Sequence, residues 1–245
     1  MNAIQFTEIS VKNQRLMDQI RGIYENAFRK EIRFPWECLL YKIKMGQIRT
    51  KIQKRKNEKF HLIGAFKEEK LVAFFILKYF GEFAYCNFMA VDISCRNQEI
   101  GTQAGLKVIE TVKDDANEFQ IPDSVLLFEV DKPDNAPNDA VKIASERLIK
   151  FYVKRLNVIF LDIEYIEPTL IKDGRDMYLA MYPLSNRNYI ESNRLLHYIQ
   201  AIYHLEYNLT PQKNASKFQR YMKVITNSIG NRNKIYGIPK NSWNF

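Results

Sequence analysis

Residues 88–103 read Phe88-Met-Ala-Val-Asp-Ile-Ser-Cys-Arg-Asn-Gln-Glu-Ile-Gly-Thr-Gln103. The opening residues close a run, Phe83 to Val91, that is apolar or aromatic on both faces, the pattern of a central strand covered on both sides. A short polar loop with Arg96 follows, then a helix over 101–118 with Ala104, Val108, Ile109, Val112 and Ala116 on one side. A helix that opens at Gly101-Thr102 directly behind a strand presents unpaired backbone N–H groups and the positive end of its dipole. That is an anion site suited to a pyrophosphate, although many strand-to-helix junctions share the shape. A further apolar strand, 124–130, follows, and a strand-helix-strand unit of this length calls for a parallel pair with a right-handed crossover.

Working outward, residues 3–9 alternate as a half-buried edge strand with Ile4 and Phe6 on one face. Leu16, Ile20, Ile23, Tyr24, Ala27 and Phe28 fall at helical spacing, and Pro35 restarts the chain as a second helix through Trp36, Leu39, Leu40 and Ile43. Residues 60–66 and 71–80, joined by Lys-Glu-Glu-Lys, form an antiparallel hairpin. Beyond the loop 131–139, Ala144, Leu148, Phe151 and Tyr152 mark a fourth helix, and strands are expected at about 158–165 and 176–182. The order β-α-α-β-β-β-α-β-α-β-β is α/β, with helices on both sides of a mixed sheet. After Pro183 the pattern becomes helical: Leu195, Tyr198, Ile199, Ile202 and Tyr203 form one stripe, and Phe218, Tyr221, Met222 and Ile225 a second. Thr210-Pro211 reads as the N-cap and first position of that second helix, and the last dozen residues as loop or tail. The expected division is 1–184 as the main domain and 185–245 as a basic helical extension. Its apolar faces pack on the core, on each other or on a partner, which includes a homodimer through these helices.

The chain has 245 residues, 46% of them hydrophobic, enough for one large core or a core with an appendage. Its longest apolar run, Leu71 to Leu77, falls far short of the roughly 20 residues that a spanning helix needs, so no membrane association is expected. The first residues lack a basic-then-apolar signal pattern, and three widely spaced cysteines, Cys38, Cys86 and Cys95, fit a cytoplasmic chain with no disulfide framework or Cys-x-x-Cys metal site. Net charge is +9, unevenly spread: +8 over residues 1–60 (14 basic, 6 acidic), −6 over 61–184 (14 and 20) and +7 over 185–245 (9 and 2). The middle is acidic and the positive excess sits at the ends, which argues against a nucleic-acid-binding fold.

The order of elements and the segment from Val91 to Thr102 together resemble the GNAT superfamily of N-acetyltransferases. In that family a valine-rich fourth strand leads into Arg/Gln-x-x-Gly-x-Gly/Ala at the head of the central helix. Glu99 stands where the family usually has its first glycine, and a carboxylate beside a pyrophosphate is unfavourable unless it faces solvent or bonds an amide. Further matches are Leu127-Phe-Glu-Val-Asp131, and Glu146 to Asn157 with Asn157 at a position where the family has glycine, and Tyr165-Ile-Glu-Pro-Thr-Leu. The resemblance spans about residues 3–184. It implies a mostly antiparallel sheet whose central parallel pair splays apart, and acetyl-CoA as co-substrate with a primary amine as acceptor. Pantetheine would lie along Met89, Ala90 and Val91, and the pyrophosphate on Arg96, Asn97, Gln98, Glu99, Ile100, Gly101 and Thr102, with Ser145 completing the cofactor set.

Acetylating an amine requires a group that removes a proton from the ammonium and one that returns a proton to the departing thiolate. Tyr152, at the position of the family's helix tyrosine, is the candidate acid; it also suits a core aromatic. Glu129 interrupts an apolar strand, and burial there would raise its proton affinity towards a useful range for a base; a strand-end carboxylate bonded to backbone or lysine is the plainer role. Asp92 is a second candidate base or a turn residue. No metal site is expected: His197 and His204 share a helix face without a third ligand. The basic run 49–59 reads as a solvated helix end, and Asn208-Leu-Thr as an incidental sequon. The alternative to an enzyme is a non-catalytic CoA-binding module, or one whose basic ends bind an acidic partner.

Overall fold

The computed structural model describes residues 3–31, 33–52, 57–169 and 173–243. The strands and helices in chain order are β1 (Gln5–Glu8), α1 (Gln14–Ala27), α2 (Trp36–Ile52), β2 (Glu58–Lys67), β3 (Lys70–Phe80), β4 (Phe83–Val91), α3 (Ile100–Glu118), β5 (Val125–Asp131), α4 (Asp139–Arg155), β6 (Ile159–Phe160), β7 (Tyr165–Glu167), β8 (Arg175–Pro183), β9 (Tyr189–Glu191), α5 (Ser192–Tyr207), α6 (Ala215–Ile229) and β10 (Lys234–Tyr236). The larger sheet has the order β1-β2-β3-β4-β5-β8-β6, with β7 also on β8; it is mostly antiparallel, with β4 and β5 parallel. The expected α/β class with a mixed sheet therefore holds. Two compact units divide the chain, Met1–Leu126 and Leu127–Phe245.

In the first unit the hairpin turn is made by Glu68 and Glu69, both at positive φ (49° and 64°). This two-residue geometry matches the twist of the paired strands even though neither residue is glycine. The Asn13 side chain caps α1 by accepting from the Leu16 amide at 3.2 Å. Its inner face, Met17, Ile20, Ile23 and Tyr24, packs with Trp36, Leu39 and Ile43 of α2 on Leu62, Phe74 and Ile76 of the sheet. Gly46 lets α2 sit close on β2, since a Cβ there would lie 2.3 Å from the Phe60 ring. Residues Ala65, Val72, Ala73, Cys95 and Ile100 form a second cluster with Phe6 and Val91. The β3–β4 register shifts between Ile76 and Leu77, whose partners are Phe88 and Cys86, so Asn87 is an extra residue in β4. Such a bulge twists a strand and re-aims its side chains. Phe88 then packs edge-on to Tyr24 and Phe28, each at 5.3 Å.

A charged chain ties β1, β2 and α3 together. His61 contacts Glu8 at 2.6 Å through Nδ1 and the buried Asp115 at 3.0 Å through Nε2; Lys59 reaches Asp115 at 2.8 Å and Glu118 at 2.6 Å.

The second unit holds three departures from the sequence reading. The strand expected at 158–165 is split, because residues 162–164 are irregular: β6 pairs with β8 at Ile159↔Met181 and β7 pairs with it at Tyr165↔Met177. Beyond Pro183 the chain is not all helical, since β9 and β10 pair antiparallel at Ile190↔Ile235 and the expected tail contains β10 and a short 3-10 turn, Lys240–Ser242. Thr210 does not cap α6; its hydroxyl accepts from the Lys213 amide at 3.0 Å, closing a turn before the helix begins at Ala215. Three-residue strands lack the length that makes alternation visible. The α5 stripe is as expected, with Leu195, Tyr198, Ile199, Ile202 and Tyr203 fully buried.

Burial pulls the His61 proton affinity down, but hydrogen bonds to Asp115 and Glu8 outweigh it and raise the pKa from 6.5 to about 9. Folded His61 therefore keeps a proton that the unfolded chain loses near 6.5. The stabilisation is complete below that pH and is lost as pH rises through about 9, at most about 3 kcal/mol for this shift. Thermal denaturation between pH 6 and 9.5 should show the decline in the wild-type chain, and His61→Leu should flatten it.

Candidate active site

In the first unit, β4 delivers the chain to a 3-10 turn, Ile93–Cys95, that Asp92 caps: its Oδ1 accepts from the Ser94 amide at 2.8 Å and the Ser94 hydroxyl at 2.6 Å. These bonds hold the Asp92 carboxyl below its usual range, which suits a turn residue. Arg96 is extended and exposed; Asn97 (φ 62°) and Glu99 (φ 59°) are both left-handed, and α3 starts at Ile100. Left-handed backbone is the conformation for which a glycine is ordinarily chosen, and a side chain there costs about 1–2 kcal/mol. The N-cap residue Glu99 makes no side-chain capping bond, and its carbonyl accepts the first helical bond, from Gln103 at 3.0 Å. The Glu99 carboxylate is exposed and accepts from the Thr102 hydroxyl at 3.0 Å, while the Gln98 side-chain oxygen accepts from Lys67 at 3.1 Å. A helix N-terminus left in this way offers amide donors and the positive end of its dipole to an anion. Ala90 and Ile100 are buried; Met89, Val91, Gly101 and Thr102 are half-buried.

In the second unit, Asn138 caps α4 by accepting from the Val141 amide at 3.0 Å. Its inward face is Ser145, Ile149, Tyr152 and Val153; of the expected stripe Ala144, Leu148, Phe151 and Tyr152, Tyr152 is buried, Phe151 half-buried, and Ala144 and Leu148 are exposed. Apolar residues at two registers made the wrong stripe as plausible as the right one. Ser145 and Tyr152 lie two turns apart on this face. Tyr152 packs against Phe128 at 4.7 Å and Phe151 at 5.2 Å, and its carbonyl accepts from both Leu156 and Val158 as Asn157 (φ 53°) ends the helix in the left-handed region.

Glu129, on β5, is held by two phenols. Tyr165 of β7 donates to Oε1 at 2.5 Å and Tyr207 of α5 donates to Oε2 at 2.8 Å. The Tyr207 hydroxyl is also 3.2 Å from Oε1 of Glu167, whose Oε2 takes Nε of Arg175 at 2.6 Å; Arg175 Nη1 reaches Asp131 at 3.0 Å. Burial, and then the charge of Glu129, raise the Glu167 pKa to about 7 against the opposing pull of Arg175. Of this group, sequence reasoning singled out Glu129 alone. Tyr165 closes the strand expected at about 158–165 and Glu167 lies in the segment quoted for family likeness, neither with a role assigned, and Tyr207 is 78 residues from the carboxylate it holds, so no local spacing signals it.

His197 and His204 are exposed, and among the described residues no cluster could hold a metal ion. Burial pushes the Cys86 thiol up to about 12, which leaves it protonated and non-nucleophilic at neutral pH. The basic run 49–59 lies partly outside the described residues, and no described helix is long and apolar enough to cross a membrane.

Residues 18–142 match the model of the acetyltransferase (GNAT) family. No curated protein matches the chain in sequence. Among solved structures, a GNAT-family acetyltransferase from Bacteroides thetaiotaomicron superposes with a TM-score of 0.62 over 84% of this chain and 99% of its own, at 18% identity. An aminoglycoside 6′-N-acetyltransferase complexed with coenzyme A gives 0.51 over 75% and 98%, at 16% identity. At such identities the likeness is one of fold.

The carboxylate cluster makes a stability prediction. Arg175→Leu leaves Glu167 beside Glu129 without its cation, at a cost of about 3 kcal/mol where both are ionised. Urea denaturation should find that loss at pH 8.5 and a much smaller one at pH 5.5, where Glu167 is protonated.

Proposed function

The chain belongs to the GNAT acetyltransferase family, and we propose that it moves an acetyl group from acetyl-CoA directly to a primary amine, with no covalent enzyme intermediate. The observation that carries this reading is the uncapped N-terminus of α3, entered through two left-handed residues, inside the stretch that matches the family model. Met89, Ala90 and Val91 would hold the pantetheine arm; Arg96 and the backbone of Asn97, Gln98, Glu99, Ile100, Gly101 and Thr102 would hold the pyrophosphate, with Ser145 adding a hydroxyl. Glu99 fits this role because its carboxylate is turned onto Thr102 at the surface. Bound acetyl-CoA supplies the acetyl group and a thiolate leaving group.

The protein's own task is proton management. Glu129 accepts a proton from the incoming ammonium, and the Tyr152 hydroxyl gives one to the departing sulfur. Two phenol donors keep Glu129 oriented in an apolar strand where an unsatisfied carboxylate would be costly. The acidic middle of the sequence suits a cationic acceptor, either a polyamine-like molecule or an amine on a protein. We assign residues 1–184 to the family domain and 185–245 to an extension, and place the enzyme in the cytoplasm.

Calorimetry should detect acetyl-CoA binding; no heat and no thermal shift at millimolar cofactor would remove the reading. Thiol release across a panel of amines should identify the acceptor. With that acceptor, Tyr152→Phe and Glu129→Gln should each lower kcat by about 100-fold or more while leaving cofactor affinity within a few-fold. Full turnover in either variant would strip that residue of its role.

A further inference from the structure

A tyrosine hydroxyl carries one hydrogen. Tyr207 stands 2.8 Å from Oε2 of Glu129 and 3.2 Å from Oε1 of Glu167, so it can donate to only one of them. Toward the other it can only accept, and an ionised carboxylate has nothing to donate. Both contacts are hydrogen bonds together only when one carboxyl is protonated. Glu129 is the nearer, and its other oxygen already accepts from Tyr165, which makes it the ionised member. Glu167 then carries the proton on Oε1, its Oε2 being taken by Arg175.

We propose that Glu129 and Glu167 act as one base, sharing a single proton through the Tyr207 hydroxyl, with Glu167 the positioning residue that raises the pH at which Glu129 accepts from an amine. This rests on the acetyl-transfer reading and deepens it. In the base form both carboxylates are ionised and Tyr207 donates to Glu129. An ammonium N–H bond breaks as an O–H bond forms on Glu129; the amine becomes neutral and the pair goes from two negative charges to one. Glu129 then passes that proton to the Tyr207 oxygen as Tyr207 passes its own hydrogen to Glu167 Oε1. This restores ionised Glu129 in the arrangement the structure holds, and Glu167 later releases the proton to water. The groups facing the pair are Asp131 on β5, Tyr165 on β7, Arg175 on β8 and Tyr203 on α5. The raised pKa of Glu167 agrees with a one-proton pair near neutrality.

Two measurements test the proposal. In the pH profile of kcat/KM the wild-type acid limb should fall near 7. Glu167→Gln, which keeps the shape of the protonated side chain, should move that limb down by about one pH unit or more; Tyr207→Phe should also move it. A merely structural role would lower the rate without shifting the limb, and an unshifted limb in Glu167→Gln overturns the idea. The second readout needs no turnover. Infrared titration of the free full-length protein should show a carboxylic-acid C=O band that disappears around pH 7 and is missing in Glu167→Gln. Absence of that band in the wild type overturns the shared proton even if acetyl transfer is found; its presence in a chain that acetylates nothing would leave the pair intact and remove only the enzyme reading.

Discussion

A carboxylate in an apolar strand must be given hydrogen-bond donors or give up its charge, and much of the second unit is arranged around that demand at Glu129. Its two oxygens draw a phenol from β7 and another from α5, and the β7 strand that brings Tyr165 also brings a second carboxylate, Glu167. Arg175 then enters from β8 to offset the added charge and reaches Asp131 as well. Each group solves a problem created by the one before it. The pairing of β7 with β8 and the burial of α5 keep the set in place.

The first unit faces the opposite electrostatic task. At the head of α3 no side-chain bond from the N-cap residue Glu99 closes off the positive end of the helix. Asp115, 2% exposed on the same helix, is neutralised by His61 and Lys59 rather than by solvent. Glu99, the one acid at the helix entrance, is turned onto a neighbouring hydroxyl. The charge along the sequence is uneven in the same way: the middle is acidic, and the surplus of lysine and arginine belongs to the N-terminal helices and the C-terminal segment.

What could be read in the sequence followed the length of each signal. The 11-residue β3 and the 19-residue α3 have enough turns of their own period to be unmistakable, and the junction of β4 with α3 carried the reading of the fold. The three-residue strands β7, β9 and β10 have barely one alternation each. Residue 210 looked like a helix cap because Thr-Pro is a common start, yet the same chemistry closes a turn. On α4 a choice between two apolar registers was settled by packing alone, and Ser145 and Tyr152 share the buried face. Glu129 was visible as a polar residue out of place. Its partners were not, because nothing near Tyr165, Glu167 or Tyr207 refers to β5, and a contact spanning 78 residues leaves no mark on local pattern.

Leu161 bridges to Gly237, the Ile238 amide donates to the Phe160 carbonyl at 2.7 Å, and β10 pairs with β9. Gly237 is needed there, since a Cβ would lie 2.2 Å from Ile159. On the ribosome these partners emerge far apart in time. The strand edge at Phe160 and Leu161 is synthesised long before the segment that covers it, and Glu129 waits for Tyr207 in the same way. Because contacts of such sequence separation form late, the growing chain passes through a stage with the first unit complete and the second still open. A chaperone, or slow synthesis across residues 160–238, would matter most during that interval.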